Sequence, residues 1–217
     1  MKITIKPEVF KKVDPQLKVY FIHAIGVDNK SQAKKANHLL AEMQKVILLT
    51  FNQDTAKSHL LVAPWTVAKE EFGKKAKHYH TSVELLLQKV LRKQSIKTKD
   101  TVTALLRYLA LKHIVPIGAD DPTKVKGDIT FEVKKDDLYY RDAKRILGKK
   151  LDYWKNAKTA ITPSSWCALV HFEFLPPVSA QKQKEIVNEA AELLQTFCGA
   201  ETKMVVLDKK KNSTTIK

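Results

Sequence analysis

The sequence predicts an α+β fold, because two kinds of periodicity occupy largely separate parts of the chain. Before residue 114, several long segments repeat apolar residues at the three- and four-residue spacing of an amphipathic helix. Most of the alternating or continuously apolar runs that are typical of strands come after it. The chain has no internal repeat and no clear linker. We therefore expect one domain over residues 1–207, followed by a mobile basic tail over residues 208–217.

Strands are predicted early in the chain and again in its second half. The opening segment MKITI alternates polar and apolar residues, whereas LKVYFIHAIGV is almost continuously apolar. WCALVHFEFL is a second long apolar run. The predicted strands are residues 2–5, 17–27, 127–133 and 166–175, with shorter ones near residues 138–140 and 146. Residues 26–29, GVDN, follow the second strand as a turn.

Predicted helices start at polar capping residues and show one apolar face. Thr81 or Ser82 caps a helix with Glu84 in its first turn, and Asp100 or Thr101 caps the next. Near the end of the chain, Ser179 caps an amphipathic helix. The predicted helices are residues 7–12, 31–49, 64–72, 82–90, 100–113 and 180–198, with Gly73 and Gly199 as terminators.

Length and composition predict a globular protein with an ordinary core. The chain has 217 residues, of which 44% are hydrophobic and 29% charged, so it needs no disulfide or metal to fold. No apolar run approaches the length that spans a bilayer, and the first ten residues lack the apolar core of a signal peptide. We therefore expect no membrane partner and a cytoplasmic location. Cys167 and Cys198 lie in apolar surroundings and are predicted to be reduced core thiols rather than a disulfide or a nucleophile.

A net charge of +16 is the strongest signal in the composition. A positive field of this size raises the association rate of polyanions such as RNA and DNA. Selection for solubility also produces lysine-rich surfaces, so charge alone leaves both explanations open.

The common enzyme signatures are absent from the sequence. There is no glycine-rich phosphate loop, no GxSxG motif and no pair of catalytic carboxylates. His78 and His80 lack the third and fourth donors that a zinc site requires. We therefore expect no metal and no cofactor, and either a binding module or an enzyme that works by positioning water.

A few polar residues in apolar segments are candidates for a site. Asp120 and Asp121 follow PIG and suit either a turn or cap, or a binding role. Glu173, in VHFEFLPP, is interpreted either as a strand residue that faces outward or as a carboxylate that faces the protein interior. A carboxylate in the interior would need a partner. His23 and His171 lie in apolar strands, where a hydrogen-bonded core histidine is the first interpretation and a general base the second.

Two basic segments are candidates for RNA binding. Lys74, Lys75, Lys77 and His78 precede a predicted helix in EFGKKAKHYH. The segment KKLDYWKNAKT interleaves aromatic and basic residues, a pattern that suits base stacking with lysines along the phosphates, or equally a loop anchored to the core. Its predicted RNA-binding residues are Lys149, Lys150, Trp154, Lys155 and Lys158.

Four segments in order resemble the tRNA-editing domain of the bacterial phenylalanyl-tRNA synthetase beta subunit, and resemble its free-standing relatives more closely. They are WTVAKEEFGKKAKHYHTSVELLLQKVLRK, VPIGADDPTKVKGDI, AKTAIT and ALVHFEFLPP, and the resemblance covers about residues 1–199. It implies a three-layer α+β fold with mixed sheets flanked by helices, and a pocket that hydrolyses amino acids wrongly esterified to tRNA. The matching residues are Trp65, Phe72, Gly73, Ser82, Glu84, Pro116, Gly118, Asp121, Lys124, Gly127 and Ile129.

The resemblance also implies site residues. It places the family's pocket glutamate at Glu173 and a pocket-lining turn at Gly118, Ala119, Asp120 and Asp121. It adds three residues that follow the second strand: Gly26, Asp28 and Asn29. The chain departs from the family at two places. In the pocket helix, where the family carries asparagine, aspartate and asparagine, this chain has Asp100, Ala104 and Arg107. Gly118 stands where the synthetase domain has a histidine. Arg107 is thereby a predicted pocket residue.

Together, these expectations predict that the protein is a deacylase that acts in trans on misacylated tRNA. Glu173 would orient a water molecule or the amino group, and backbone amides around Gly118 and Ala119 would face the developing oxyanion. The basic residues named above would hold the tRNA, and an aminoacyl-tRNA synthetase is a possible further partner. A non-catalytic RNA-binding module of the same fold is the first alternative, and a small-molecule-binding domain is the second. The oligomeric state is left open.

Overall fold

The structure is a computed structural model that describes residues 1–135, 137–149 and 157–216, without the side chains of Lys75, Lys77 and Lys149. Within these residues the chain forms nine strands, seven α-helices and short 3-10 helices at Lys74–His78 and Pro122–Lys124. None of the helices in the described ranges is long and apolar enough to cross a membrane. The strands are β1 Lys2–Ile5, β2 Lys18–Ile25, β3 Ile117–Asp120, β4 Ile129–Lys134, β5 Asp137–Arg141, β6 Ile146–Lys149, β7 Cys167–Phe174, β8 Glu201–Leu207 and β9 Ser213–Thr215. The helices are α1 Pro7–Lys12, α2 Ala33–Thr50, α3 Gln53–Lys57, α4 Ala63–Glu70, α5 Ser82–Leu91, α6 Thr101–His113 and α7 Ala180–Cys198.

The strands form two sheets. A five-stranded sheet has the order β6-β5-β4-β1-β9 and is mixed, since β1 and β4 are parallel and its other pairs are antiparallel. A four-stranded sheet has the order β3-β7-β2-β8 and is antiparallel throughout. Helices flank the sheets, and the predicted α+β class is confirmed.

The four-stranded sheet is covered on both faces, and this explains the long apolar runs in its central strands. In β7, Val170 and Phe172 belong to the core that the sheet forms with α6 and α7. The alternate residue Leu169 belongs to the core between this sheet and the five-stranded sheet. All eight residues of β7 are buried, so the strand loses the polar and apolar alternation that one-sided burial produces.

The helix caps follow the predicted chemistry. Thr81, rather than Ser82, caps α5, and its side chain and that of Glu84 exchange hydrogen bonds with each other's backbone amides. Asp100, rather than Thr101, caps α6 by accepting a hydrogen bond from the Thr103 amide at 2.8 Å. Ser179 caps α7, and Gly199 ends it in the left-handed region with φ of 64°.

Two predictions about local structure were wrong. Residues 118–121 were expected in a turn, but the first three of them lie in the edge strand β3. Residues 213–215, expected in a mobile tail, form β9 and pair with β1. The backbone around β9 adds hydrogen bonds from the Ile5 amide to the Asn212 carbonyl at 2.8 Å and from the Ile216 amide to the Met1 carbonyl at 2.9 Å. A polar Ser-Thr-Thr strand held through its backbone carries no apolar pattern, so the sequence does not reveal it.

Two glycines with positive φ provide a matched test of the loop geometry. Gly26 has φ of 73° and open space where a Cβ would stand, whereas a Cβ on Gly127, φ of 80°, would lie 3.0 Å from the Ala143 Cβ. Ala143 cannot yield easily, because its amide donates to the Lys126 carbonyl at 2.9 Å and the carboxylate of Asp142 accepts from the Lys126 amide at 3.0 Å.

We expect Gly26→Ala to lower the free energy of unfolding by about 1 kcal/mol through backbone strain alone. Gly127→Ala should lower it by about 2–3 kcal/mol, because crowding against Ala143 adds to that strain. Urea titration measures both losses. The double variant Gly127→Ala/Ala143→Gly should recover the difference between them, and equal losses in the two single variants would contradict the contact.

Candidate functional site

A cavity of about 560 Å³ opens between α5, α6 and β3. Residues 97–100 before α6 and residues 160–163 before β7 complete its walls. Its floor is apolar and consists of the inner faces of the two helices, the start of β3 and one residue of the 160–163 segment. These floor residues are Leu85, Leu86, Leu106, Ala110, Ile117 and Ile161.

The rim of the cavity carries four cationic side chains, Lys89, Lys97, Lys99 and Arg107. The three lysines are exposed, and the Arg107 guanidinium donates to the Lys97 carbonyl at 3.4 Å. Burial lowers the pKa of Arg107, and the negative charge of Asp100 opposes that shift. Among the described residues, Asp100 is the only acidic one that lines the cavity, and its Oδ1 already accepts the hydrogen bond from the Thr103 amide. The cavity therefore favours anionic ligands.

The edge of β3 gives the cavity a polar wall made of backbone. Ser82 Oγ binds both the Ile117 amide at 3.1 Å and the Ile117 carbonyl at 3.2 Å. Gly118 pairs with His171 on β7, and Pro116, two residues earlier, accepts from the Glu173 amide at 3.3 Å. In an antiparallel strand, the backbone amide and carbonyl of every second residue face the partner strand. Because those of Gly118 face β7, those of Ala119 point to the outer edge of the sheet. Within the described residues its amide has no partner there.

Asn29 lies behind the cavity and joins two of its walls. Its side chain accepts from the Val102 amide at 2.8 Å and donates to the Thr162 carbonyl at 2.7 Å, and its own carbonyl accepts from the Thr101 amide at 3.1 Å. These bonds fix the start of α6 against the 160–163 segment. They also occupy the first amides of α6, so this helix terminus has no anion site of its own.

The other residues predicted from the turn after β2 do not line the cavity. Gly26 is exposed, with positive φ. Asp28 is exposed, and its carboxylate accepts from the backbone amides of Lys30 and Ser31, both at 3.0 Å. Both residues therefore shape the turn that leads to Asn29.

Asp120 and Asp121 are buried and also lie outside the cavity lining. The carboxylate of Asp120 accepts hydrogen bonds from the hydroxyls of Tyr140 and Thr159. Asp121 accepts from Ser165 Oγ at 2.6 Å and from the Thr123 amide at 3.1 Å, and so caps the 3-10 helix that follows it. The structure therefore favours the turn-and-cap interpretation for Asp121 and gives Asp120 a role between the two sheets.

Glu173 points away from the cavity. It lies on the face of β7 that meets the five-stranded sheet, is 1% exposed, and contacts His171 Nδ1 through Oε1 at 2.6 Å. The rings of Phe21, Phe131 and Tyr140 surround His171. The neighbours of Glu173 in β7, Phe172 and Phe174, lie on the opposite face of the sheet, which α6 and α7 cover. The predicted carboxylate thus faces the five-stranded sheet, whereas the Ala119 amide lies at the outer edge of the four-stranded sheet.

The predicted RNA-binding residues lie outside the cavity lining wherever the structure describes them. Lys74 and His78 are exposed on the 3-10 helix before α5, and Lys158 is exposed just before the 160–163 segment. Lys150, Trp154 and Lys155 fall outside the described residues, as do the side chains of Lys75, Lys77 and Lys149. Within the described ranges, no three His, Cys, Asp or Glu side chains are grouped so as to hold a metal ion.

Three predicted pocket residues, Gly118, Ala119 and Arg107, do line the cavity. Sequence reasoning missed the three rim lysines, because 39 lysines and arginines in the chain leave no local charge signal. It also missed Thr162 and Pro163, which belong to a segment held in place by long-range hydrogen bonds such as that from Asn29 to the Thr162 carbonyl.

Comparison with protein-family models finds none that matches this chain. Comparison with curated proteins finds no similar sequence. The resemblance to the synthetase editing domain therefore stays a prediction, and the site is interpreted from its own geometry.

The buried pair of His171 and Glu173 generates a prediction about pH. Burial alone would lower the pKa of His171, but the charge of Glu173, their hydrogen bond and the charge of Asp120 outweigh it and raise this pKa above the ordinary value. A raised pKa in the folded state stabilises the protein fully below the unfolded value of about 6.5, and this contribution is lost as pH rises through the folded pKa.

We expect the wild type to be more stable than Glu173→Gln at pH 6, with the difference shrinking as pH rises. Urea titrations between pH 6 and pH 9 measure this difference. Glu185→Gln, on the exposed face of α7, is the control and should follow the wild type at every pH. A constant difference between wild type and Glu173→Gln would show that the two side chains do not share a proton-linked interaction.

Proposed function

We propose that the chain binds the aminoacylated 3′ end of tRNA in this cavity and hydrolyses misacylated tRNA in trans. The observation that carries the proposal is the combination, in one cavity, of an apolar floor, an open strand edge and a rim of four cations. An aminoacyl-tRNA terminus has the complementary parts: an amino-acid side chain, a polar ester and a chain of phosphates.

Each part of the cavity has a role in this proposal. The lysines of the rim contact phosphates, which position a nucleic acid without reading its sequence. The floor takes the aminoacyl side chain. The Ala119 amide donates to the oxyanion that forms when water attacks the ester, a contribution that grows with the developing charge.

The chemistry requires no protein nucleophile. An aminoacyl ester is already activated, so orientation of one water molecule and help from a ribose hydroxyl of the tRNA are sufficient. The bond that breaks joins the amino-acid carbonyl carbon to the ribose oxygen. Water supplies the hydroxyl of the free amino acid, and its other proton goes to the ribose oxygen, which leaves as a hydroxyl. Glu173 has no direct part in this step, because it lies on the other face of β7.

The resemblance to the phenylalanyl-tRNA synthetase editing domain supports the same proposal. Its matching residue Gly118 and the neighbouring Ala119 line the cavity, whereas Arg107 of the rim stands where the family carries asparagine. The three-layer editing-domain fold is part of the proposal, and the observed α+β class is compatible with it.

A non-catalytic RNA-binding module is the second candidate. It is favoured by one observation: Asp100, the only carboxylate that lines the cavity in the described part of the chain, caps α6 through its Oδ1. With no free carboxylate to orient water, the cavity would hold a tRNA end without cleaving its ester. Hydrolysis separates the two candidates, and the salt dependence of binding separates both from a small-molecule site.

The deacylation test uses purified protein with a panel of misacylated tRNAs. We expect faster release of the amino acid from at least one tRNA than in buffer. Ala119→Phe should abolish this release because its ring blocks the part of the cavity beside the Ala119 amide. Glu173→Gln should retain it when assayed at a temperature where both variants are folded. If no tRNA is hydrolysed, the deacylase proposal fails, and if Glu173→Gln alone is inactive, the assignment of the oxyanion wall is wrong.

The cationic rim predicts which lysines of the chain contribute to tRNA binding. Reversing Lys89, Lys97 and Lys99 to glutamate should weaken tRNA binding and lower the slope of log affinity against log salt by about 2, since each lost phosphate contact contributes about 0.7. The matched control reverses Lys6, Lys184 and Lys203, three exposed lysines elsewhere on the chain, with the same change in net charge. Equal losses in both triple variants would show that total charge, and not the cavity, binds tRNA.

A further inference from the structure

Asp100 presents one carboxylate oxygen to the cavity beside β3. The residue lines this cavity and is only 6% exposed. Its Oδ1 caps α6 by accepting from the Thr103 amide at 2.8 Å. Its Oδ2 accepts no hydrogen bond from the described residues and keeps accessible surface. A nearly buried carboxylate therefore has one oxygen that a ligand in the cavity can reach.

This carboxylate is held in place and has no bonded cation. The cap fixes its side chain, and the next amide along the chain, that of Thr101, donates to the Asn29 carbonyl at 3.1 Å. The Arg107 guanidinium on the same cavity donates to the Lys97 carbonyl at 3.4 Å and not to Asp100. Because a buried charge without a partner is costly, Oδ2 favours a ligand that supplies a cation.

An ammonium group has the chemistry that suits this oxygen. It carries a positive charge and three N–H donors, and a hydrogen bond between two charged groups is stronger than a neutral one. The four cations of the rim repel an ammonium group from the rest of the cavity, so Asp100 provides its one favourable position. In an aminoacyl ester, the α-ammonium group is attached to the same carbon as the side chain and the ester carbonyl. A ligand whose side chain lies on the apolar floor therefore brings its ammonium group close to the ester.

We propose that Asp100 Oδ2 binds the α-ammonium group of the aminoacyl ester, so that the cavity requires a free α-amine. The inference rests on the proposed function, because it assigns one more group of the same ligand. The substrate class is then aminoacyl-tRNA with an unmodified amine. A tRNA with an N-acylated amino acid, such as peptidyl-tRNA, is excluded because an amide nitrogen carries no positive charge. Asp100 determines specificity in this account, and a carboxylate that holds the ammonium group is not available to orient water.

A second cavity offers a matched carboxylate as a control. This cavity, of about 490 Å³, lies at the end of the four-stranded sheet, between the chain before β2, the start of α7 and the turn after β8. It shares no lining residue with the cavity beside β3. Its lining includes lysines and Asp208, whose Oδ1 accepts from the Lys210 and Lys211 amides, both at 2.8 Å. Asp208 thus resembles Asp100 in bonding to backbone amides beside lysines, but it lies far from the proposed ligand.

The test measures the affinity of the full chain for tRNAs that carry alanine or leucine through a stable amide in place of the ester. Each is compared with a des-amino form, in which hydrogen replaces the α-amine, and with an N-acetyl form. At about pH 6.5 the free α-amine is protonated. We expect the free-amine form of at least one amino acid to bind at least about tenfold more tightly than its des-amino form, the effect of one hydrogen bond between charged groups. The N-acetyl form should bind no more tightly than the des-amino form.

The outcomes separate this inference from the proposed function. If free-amine and des-amino forms bind equally, and both more tightly than tRNA without an amino acid, the ammonium contact is wrong and the proposed function stands. A loss of affinity in the N-acetyl form alone would also overturn the contact, because it would reflect bulk and not charge. If no form binds more tightly than tRNA without an amino acid, the proposed function fails together with the inference.

Two neutral variants assign the contact to Asp100. Asparagine and serine cap helices about as well as aspartate, so Asp100→Asn and Asp100→Ser both retain the cap of α6 and lose the charge. Either variant that folds should bring the free-amine and des-amino affinities to within about twofold of each other. Asp208→Asn, with the same change in net charge as Asp100→Asn, should keep the wild-type ratio. An unchanged ratio in the folded Asp100 variants would overturn the assignment.

Discussion

Burial of the four-stranded sheet on both faces is the constraint on which the rest of the structure depends. One face packs against α6 and α7, and the other packs against the five-stranded sheet. The polar side chains of β7 and the buried Asp120 of β3 therefore have no solvent to reach and need partners inside the protein. His171 and Glu173 meet this requirement by pairing with each other, and Asp120 meets it through Tyr140 and Thr159.

The two cavities lie where the helices that cover the four-stranded sheet end. One lies at the outer edge of β3, where α5 and α6 leave an open strand edge. The other lies at the end of the sheet, where α7 begins. In both places backbone donors that the sheet and helices cannot satisfy are exposed beside lysines. In the proposed function, anions contact backbone amides and cations, whereas the buried carboxylates bond to other side chains of the protein.

The sequence predicted the parts of this arrangement that rest on local chemistry. The caps Asp100 and Ser179 and the terminator Gly199 follow from residue type and spacing, and the structure has them at those positions. The face of Glu173 could not be predicted, because a strand buried on both sides has no polar alternation to orient it. β3 escaped prediction because a Gly and two Asp residues in IGADD indicate a turn, while pairing with β7 makes residues 117–120 a strand.

The central claim is that the cavity beside β3 receives the end of an aminoacylated tRNA. Hydrogen exchange at the Ala119 amide tests it most directly, with a tRNA whose amino acid is attached through a stable amide instead of the ester. The account predicts that this ligand slows exchange at Ala119 while exchange in β8, at the opposite edge of the sheet, is unchanged. Unaltered exchange at Ala119 at a concentration of the tRNA that saturates binding would contradict it.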